Sequence, residues 1–299
     1  MDSHTELFQK HRPRLLGLAY RMLGTPADAE DILHDAWLRW HAQDKSSLDD
    51  AEAWLVTVTT RLALDRLRHA KVEREHYTGP WLPEPLIELE QHPEAQAEHA
   101  ETLTMSFLVL LERLTAEERA AFLLHDVFDY SHAEAAAILG VTEEASRQRA
   151  HRAKQRLRDE RTRFTTNAQT QRRLLDRFAK ALEHPTEENL RILFAEDAMH
   201  ISDGGGLVTA ALRPLLGGDR ITRLYLQVAK HDKAHIVRRK LHMLNGAPVM
   251  LTWADGKLVT ATWIECDGER IVALHSLRNP EKLARLAAVT KSPAAPSLH

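Results

Sequence analysis

Two stretches of this chain carry side chains whose types and spacing could do chemistry, and their charges are opposite. Residues 147–163 hold eight bases against Asp159 and Glu160, whereas residues 26–52 hold eight acids against Arg39 and Lys45. On a helix opened by Thr142, the side chains of Arg147, Gln148, Arg149, His151, Arg152, Lys154 and Arg156 share one exposed face. Ser146, Ala150, Ala153 and Leu157 recur at four, three and four residues and form its inward stripe. Guanidinium and amide groups near a helix N-terminus suit major-groove entry, so Arg147 and Gln148 are expected at base edges and Arg149, Arg152 and Lys154 at phosphates. A solvated basic face is the plainer alternative. The segment just before it, Ser131-His132-Ala133-Glu134-Ala135-Ala136-Ala137-Ile138-Leu139-Gly140-Val141, argues for the first, because its small residues and turn glycine are those of a helix-turn-helix.

The acidic stretch 28–40 is also apolar, as a helix would be if it packed in its own core with one face and docked on a basic protein surface with the other. Its alternative is a solvated acidic face. Farther on, His200, Asp203 and His275 could line a pocket only if the family resemblance given below is followed, and isolated polar residues beside strands more often satisfy local hydrogen bonds. No catalytic residue is expected. Cys266 is the single cysteine, without a partner for a disulfide or metal-ligand spacing, so neither a metal nor another cofactor is expected.

These groups must be positioned by a chain of 299 residues that is 43% hydrophobic and 28% charged, enough for more than one packed core. That balance excludes collagen, coiled-coil rods and wholesale disorder. The net charge of −3 conceals the segregation just described. No apolar run reaches the roughly 20 residues of a bilayer span, and the opening Met1-Asp2-Ser3-His4-Thr5-Glu6 is no signal peptide, so a cytoplasmic protein with no membrane partner is expected.

Apolar spacing predicts three helices over 7–23, 28–40 and 48–74, the second begun by Thr25 and Pro26. Four of the twelve prolines (Pro80, Pro83, Pro85 and Pro93) fall within fourteen residues, which predicts an extended linker. Trp81 and Leu82 are apolar within it and are expected to dock on another surface or to pack locally on the nearest helix. Four helices are predicted over 97–163, with breaks near Thr115, Ser131 and Gly140. Helical stretches at 174–182 and 187–194 follow, and then strands at 198–201, 247–253, 259–265 and 271–275 with Asp255-Gly256 and Asp267-Gly268 turns. The expected fold is therefore multidomain: two all-α helical domains followed by an α+β domain.

The stretch from Arg14-Leu15-Leu16-Gly17-Leu18-Ala19-Tyr20 through Asp28-Ala29-Glu30-Asp31, Ala36-Trp37-Leu38-Arg39-Trp40 and Leu64-Asp65-Arg66-Leu67-Arg68 resembles region 2 of an extracytoplasmic-function sigma factor. Leu114-Thr115-Ala116-Glu117-Glu118-Arg119 and the helix-turn-helix resemble region 4. Trp81-Leu82-Pro83-Glu84-Pro85, Asp203-Gly204-Gly205-Gly206 and Asn279-Pro280-Glu281-Lys282-Leu283 are similar to three marks of the ECF41, or sigma factor J, type, which carries a C-terminal SnoaL/NTF2-like cone. Two departures stand out: Leu207 where that type usually has Lys, and Glu281 where it usually has Asp.

The resemblance implies region 2 at 1–76, a linker at 77–96, region 4 at 97–164, a SnoaL/NTF2-like regulatory domain at 165–289 and a disordered tail at 290–299. It implies two partners, core RNA polymerase (its β′ clamp helices and β flap) and promoter DNA. Asp28, Asp31, Asp35, Trp37 and Leu38 would meet the polymerase. Asp44, Lys45, Ser46, Arg61, Arg66, Arg68 and Lys71 would serve the −10 element, and the basic helix with Thr142 the −35 element. Trp81, Leu82, Pro83, Glu84, Pro85, Asp203, Gly204, Gly205, Asn279, Pro280 and Lys282 would link the third domain to the linker and regulate the whole. A separate anti-sigma factor would then be unnecessary, while a small-molecule ligand in the third domain is left open. The competing readings are a cyclase- or isomerase-like enzyme fused to a DNA-binding module, and a repressor that needs no polymerase.

Overall fold

The computed structural model describes residues 3–43, 48, 50–87, 103–161 and 167–293. The chain forms two compact units, Met1–His76 with Glu88–Glu160, and Tyr77–Ile87 with Arg161–His299. The first part of the proline-rich linker thus belongs to the same unit as the C-terminal half. Asp44, Lys45, Ser46, linker residues 88–96 and the tail 294–299 lie outside the described residues.

In the first unit, α1 (Ser3–Leu23), α2 (Pro26–Ala42) and α3 (Ala51–Glu75) bury the apolar rows Leu15, Leu18, Ala19 and Met22, Ile32, Leu33, Ala36 and Trp40, and Leu55, Ala63 and Leu67. The start of α2 is fixed by Thr25, whose hydroxyl accepts from the Asp28 amide at 3.4 Å, and by Pro26 in the first turn. Asp50 caps α3 on the Ala53 amide at 3.1 Å. Four helices follow: α4 (Met105–Leu111), α5 (Ala116–Phe122), which runs into a π-turn at Leu123–Val127, α6 (His132–Leu139) and α7 (Glu143–Arg161). Thr115 with Glu118, and Ser131 with Glu134, close reciprocal capping boxes. Gly140 ends α6 at φ +66°, a left-handed conformation that a side chain would strain.

In the second unit, α8 (Ala168–Glu183) and α9 (Glu187–Arg191) precede β1 (Phe194–Asp203), β2 (Leu215–Leu216), α10 (Gly218–Asp232), β3 (Val237–Leu244), β4 (Ala247–Ala254), β5 (Lys257–Cys266), β6 (Ile271–Leu277) and α11 (Pro280–Val289). The sheet order is β2-β1-β6-β5-β4-β3, with β1 and β6 parallel and every other pair antiparallel. This is the α+β cone expected after two helical domains. Local expectations are corrected. The helix predicted over 187–194 stops at Arg191 because Phe194 already enters β1, and β2, α10, β3 and α11 went unpredicted.

Period two along the strands sorts the side chains of the sheet onto two faces. One face carries Met250, Ile264 and Leu274, which pack with Leu174, Leu175 and Phe178 of α8 and Ile221 and Tyr225 of α10. His200 points into this face, with its ring beside Tyr225. Asp203, three residues on, points to the opposite face, where α11 lies. His275 is one step along β6 from Leu274 and shares that opposite face. Thus His200 is separated from Asp203 and His275 by the sheet itself, and the three do not form the pocket constellation entertained from sequence.

Candidate functional site

In the first unit, α2 divides the residues expected to meet a partner. Asp31, Asp35 and Leu38 are exposed, and their spacing of four and three residues aligns them along one stripe. Asp28 is half-buried and engaged internally: the Thr25 hydroxyl donates to it at 2.5 Å and Arg66 pairs with it at 2.8 Å. Trp37 is half-buried edge-to-face against Phe8, 5.1 Å between ring centres. The structure therefore keeps Asp31, Asp35 and Leu38 available and uses Asp28 and Trp37 in the fold.

The basic residues of α3 are engaged across the unit. Arg61 donates to the carbonyls of Ile138 at 2.9 Å and Ala137 at 3.3 Å, which end α6. Arg68 bridges Asp65 at 2.9 Å and Glu117 at 3.0 Å, and Lys71 donates to the Leu114 carbonyl. Burial draws the Lys71 ammonium below its ordinary pKa, with Arg119 and Arg74 adding to the effect against Glu112. The four α3 bases expected beside the −10 element, Arg66 included, thus have intramolecular partners in this arrangement, while Lys45 lies outside the described residues.

On α7 the inward stripe is as expected, with Ser146, Ala150, Ala153 and Leu157 all buried. Thr142 caps the helix by accepting from the Ala145 amide at 3.2 Å. Arg147, Gln148, His151, Arg152 and Lys154 are exposed, and Arg149 is half-buried. Arg152 and Arg156 both reach the buried Glu118 carboxylate, at 3.4 and 2.7 Å, and Lys154 pairs with Asp126 at 2.8 Å. One acid of α5 thereby orients two cations of the basic helix, and the pattern of α7 alone could not show it.

In the second unit, the strap formed by Tyr77–Ile87 is held by a buried acid–base pair. Asp203, fully buried, accepts from the Leu82 amide at 2.8 Å and the Tyr77 hydroxyl at 2.6 Å. Lys282 donates to the same carboxylate and to the Leu82 carbonyl, both at 2.7 Å, and its ammonium sits 4.1 Å from the centre of the Trp81 ring. Asn279 donates to the Tyr77 hydroxyl at 2.9 Å, and the Leu86 amide donates to Asn245 at 3.0 Å. Burial and the bond to Asp203 push the Tyr77 hydroxyl above its ordinary pKa, so it stays a donor.

Leu82, Pro83, Pro85 and Leu86 are buried, and Trp81 and Glu84 are half-buried. Gly205, at φ +60°, lies so close to this site that a Cβ would stand 2.3 Å from Asn279 Nδ2 and 2.9 Å from the Tyr77 hydroxyl. Leu207 is exposed, as is Val208 beside it. The strap, the glycine turn and the 279–283 motif, three separate marks in the sequence, are therefore one contact. Tyr77 and Asn245 were missed; the Asn245-Gly246 dipeptide between β3 and β4 is a hairpin signal that would have marked the latter.

Residues 7–72 match the family described as Sigma-70 region 2, and residues 104–157 match Sigma-70, region 4. Together with the capped basic helix of a helix-turn-helix, these define a sigma factor of RNA polymerase. The chain belongs more narrowly to the ECF RNA polymerase sigma factors. It is 35% identical over 286 residues to the ECF RNA polymerase sigma factor SigJ of Mycobacterium tuberculosis (strain ATCC 25618 / H37Rv), covering 92% of this chain and 91% of that one. The probable ECF RNA polymerase sigma factor SigI of the same strain is 26% identical over 290 residues, covering 96% and 97%. The crystal structure of M. tuberculosis SigJ superposes with a TM-score of 0.74 at 31% identity, covering 94% of this chain and 98% of that one. As an alternative sigma factor, the chain directs transcription initiation by core RNA polymerase at promoter DNA; it is a transcription factor and not an enzyme. Among the described residues no helix is long and apolar enough to cross a membrane.

Proposed function

We propose that the third domain regulates initiation through the strap, and that the family's surfaces fall on particular residues of this chain. Asp31, Asp35 and Leu38 meet the polymerase clamp helices, with Asp28 and Trp37 supporting them from behind, and region 4 meets the β flap. Arg147 and Gln148 read the −35 element while Arg149, Arg152 and Lys154 hold phosphates. The α3 bases Arg61, Arg66, Arg68 and Lys71, with Asp44, Lys45 and Ser46, serve the −10 element once their intramolecular partners are exchanged for DNA. The protein works in the cytoplasm. A covalently attached regulator acts at high effective concentration, so no separate anti-sigma factor is required.

The observation that carries the regulatory reading is the pair of hydrogen bonds that tie the Leu82 backbone to Asp203 and Lys282, because the same chain segment continues toward region 4. Run-off transcription with purified core polymerase tests it. Asp203→Asn with Lys282→Met is expected to change transcript yield severalfold and to raise protease cleavage in the strap, whereas Asp31→Arg with Asp35→Arg should abolish polymerase binding. Unchanged yield together with unchanged strap cleavage would reject the regulatory role.

A further inference from the structure

We propose that the groove between α8 and β3 is an additional DNA-backbone site that takes the phosphates of duplex flanking the promoter elements. It is an open groove of about 990 Å³, lined by Arg172, Arg173 and Lys180 from α8 and by Arg239 and Lys240 from β3. Asp176 and Glu183 also line it, but Asp176 is paired with Lys180 at 2.7 Å. Arg239 is paired with Asp232, and Arg173 donates to the Gly268 carbonyl at 3.2 Å. Arg172 and Lys240 are exposed and, among the described residues, have no acidic partner.

An edge strand gains from a lysine that discourages pairing with another chain, and this accounts for Lys240 on β3, which ends the sheet. It does not account for the cations facing it from α8. Nor is the excess confined to the groove, since residues 167–293 carry 19 Lys and Arg against 14 Asp and Glu in a chain whose net charge is −3. From Arg172 to Lys180 the helix advances about 12 Å, the rise of three or four phosphates of one strand. Among the described residues no aromatic ring lines the groove, which leaves nothing to stack on an unpaired base and favours duplex over single strand. The sigma function brings promoter DNA within tether reach of this domain, so even a weak, sequence-independent contact adds to holoenzyme affinity.

The test compares holoenzyme binding to a promoter fragment with long flanking duplex and to one trimmed to its −35 and −10 elements. Arg172→Glu with Lys240→Glu should weaken binding to the long fragment about tenfold at 0.1 M salt and make the log–log salt dependence shallower by roughly two, for two lost phosphate contacts. Arg172→Gln with Lys240→Gln should give a smaller loss in the same direction. Binding to the trimmed fragment and to core polymerase, which reads the sigma function by itself, should not change. Equal affinity of wild type and both variants for the long fragment overturns the proposal. So does an equal loss on both fragments, or a loss of polymerase binding, because the groove would then face protein.

Discussion

Both units bury charge, yet they use it on different backbone groups. In the first unit, Arg119 is wholly buried and donates to the carbonyl of Met22 at 2.8 Å and to that of Leu111, while pairing with Glu112 at 2.8 Å. Arg74 donates to the Leu23 carbonyl at 2.6 Å and also pairs with Glu112. Burial alone would raise the Glu112 carboxyl, but Arg119 and Arg74 outweigh it and hold it below its usual range. The accepting carbonyls belong to the ends of α1 and α4, where a helix leaves carbonyls without partners and its dipole favours cations. In the second unit the strap is extended and interrupted by prolines, so it presents orphaned amides as well as carbonyls. Asp203 and Asn245 receive the amides of Leu82 and Leu86, and Lys282 serves the Leu82 carbonyl. The sign of the buried side chain follows the backbone group left unpaired: the carbonyl ends of α1 and α4 recruit bases, and an extended strap recruits an acid with a base.

The strongest way to break this comparison is to remove half of the strap's pair. Asp203→Ala leaves the Lys282 ammonium buried without its carboxylate, and a lone buried charge costs about 3–5 kcal/mol. Lys282→Met should cost a similar amount. The double substitution should cost less than the two together, since the partners act as one unit. Urea unfolding followed by near-ultraviolet signal measures all three. Additive losses would mean that Asp203 and Lys282 serve the strap independently, and the contrast with helix ends would fail.

A second contrast lies within the sheet, between its two faces, and is read through pH. On the α11 face His275 Nε2 is paired with Glu265 at 2.9 Å. On the other face, among the described residues, His200 has Ser276 Oγ at 3.2 Å and the Tyr225 hydroxyl at 3.4 Å near its Nε2. Burial, helped by His275 and Arg278, draws His200 down to about 4 from an ordinary 6.5. Between those values the unfolded chain binds a proton that the native imidazole refuses, so stability falls as pH drops from 6.5 to 4, by about 3 kcal/mol at most. His200→Gln should flatten that part of the stability curve relative to wild type. Identical slopes would show that the site accommodates the cation.

How much of this was legible in the sequence depended on whether the signal was local. Thr25-Pro26, the breaks at Thr115 and Ser131 and the inward stripe of α7 are local, and they appear as expected. The strap contact joins residues some 120 and 200 positions apart, and only the resemblance to a family brought its three marks together. The strand β3 was hidden because Arg238, Arg239 and Lys240 erase the apolar alternation that a half-buried strand would show. Grouping His200 with Asp203 failed for the opposite reason. Nearness in sequence is not nearness in space here, because an odd number of steps along a strand puts two side chains on opposite faces. The engagement of Arg61 and Lys71 on carbonyls of region 4 depends on helix packing, which no spacing in α3 reveals.

The smallest effect is expected at the helix ends and tests the other half of the opening comparison. Arg119→Met removes the donor from the Met22 and Leu111 carbonyls, but Glu112 keeps Arg74 as a counter-charge, unlike Lys282 in the Asp203 variant. The methionine also fills most of the vacated volume. What is lost is a set of charge-assisted hydrogen bonds to carbonyls now left unpaired, about 2 kcal/mol. Adding Glu112→Gln should lower stability further, because it takes the paired carboxylate away from Arg74. If Arg119→Met instead destabilises as strongly as Asp203→Ala, Arg74 does not compensate, and the carbonyl ends of α1 and α4 depend on Arg119 as completely as the strap depends on its pair.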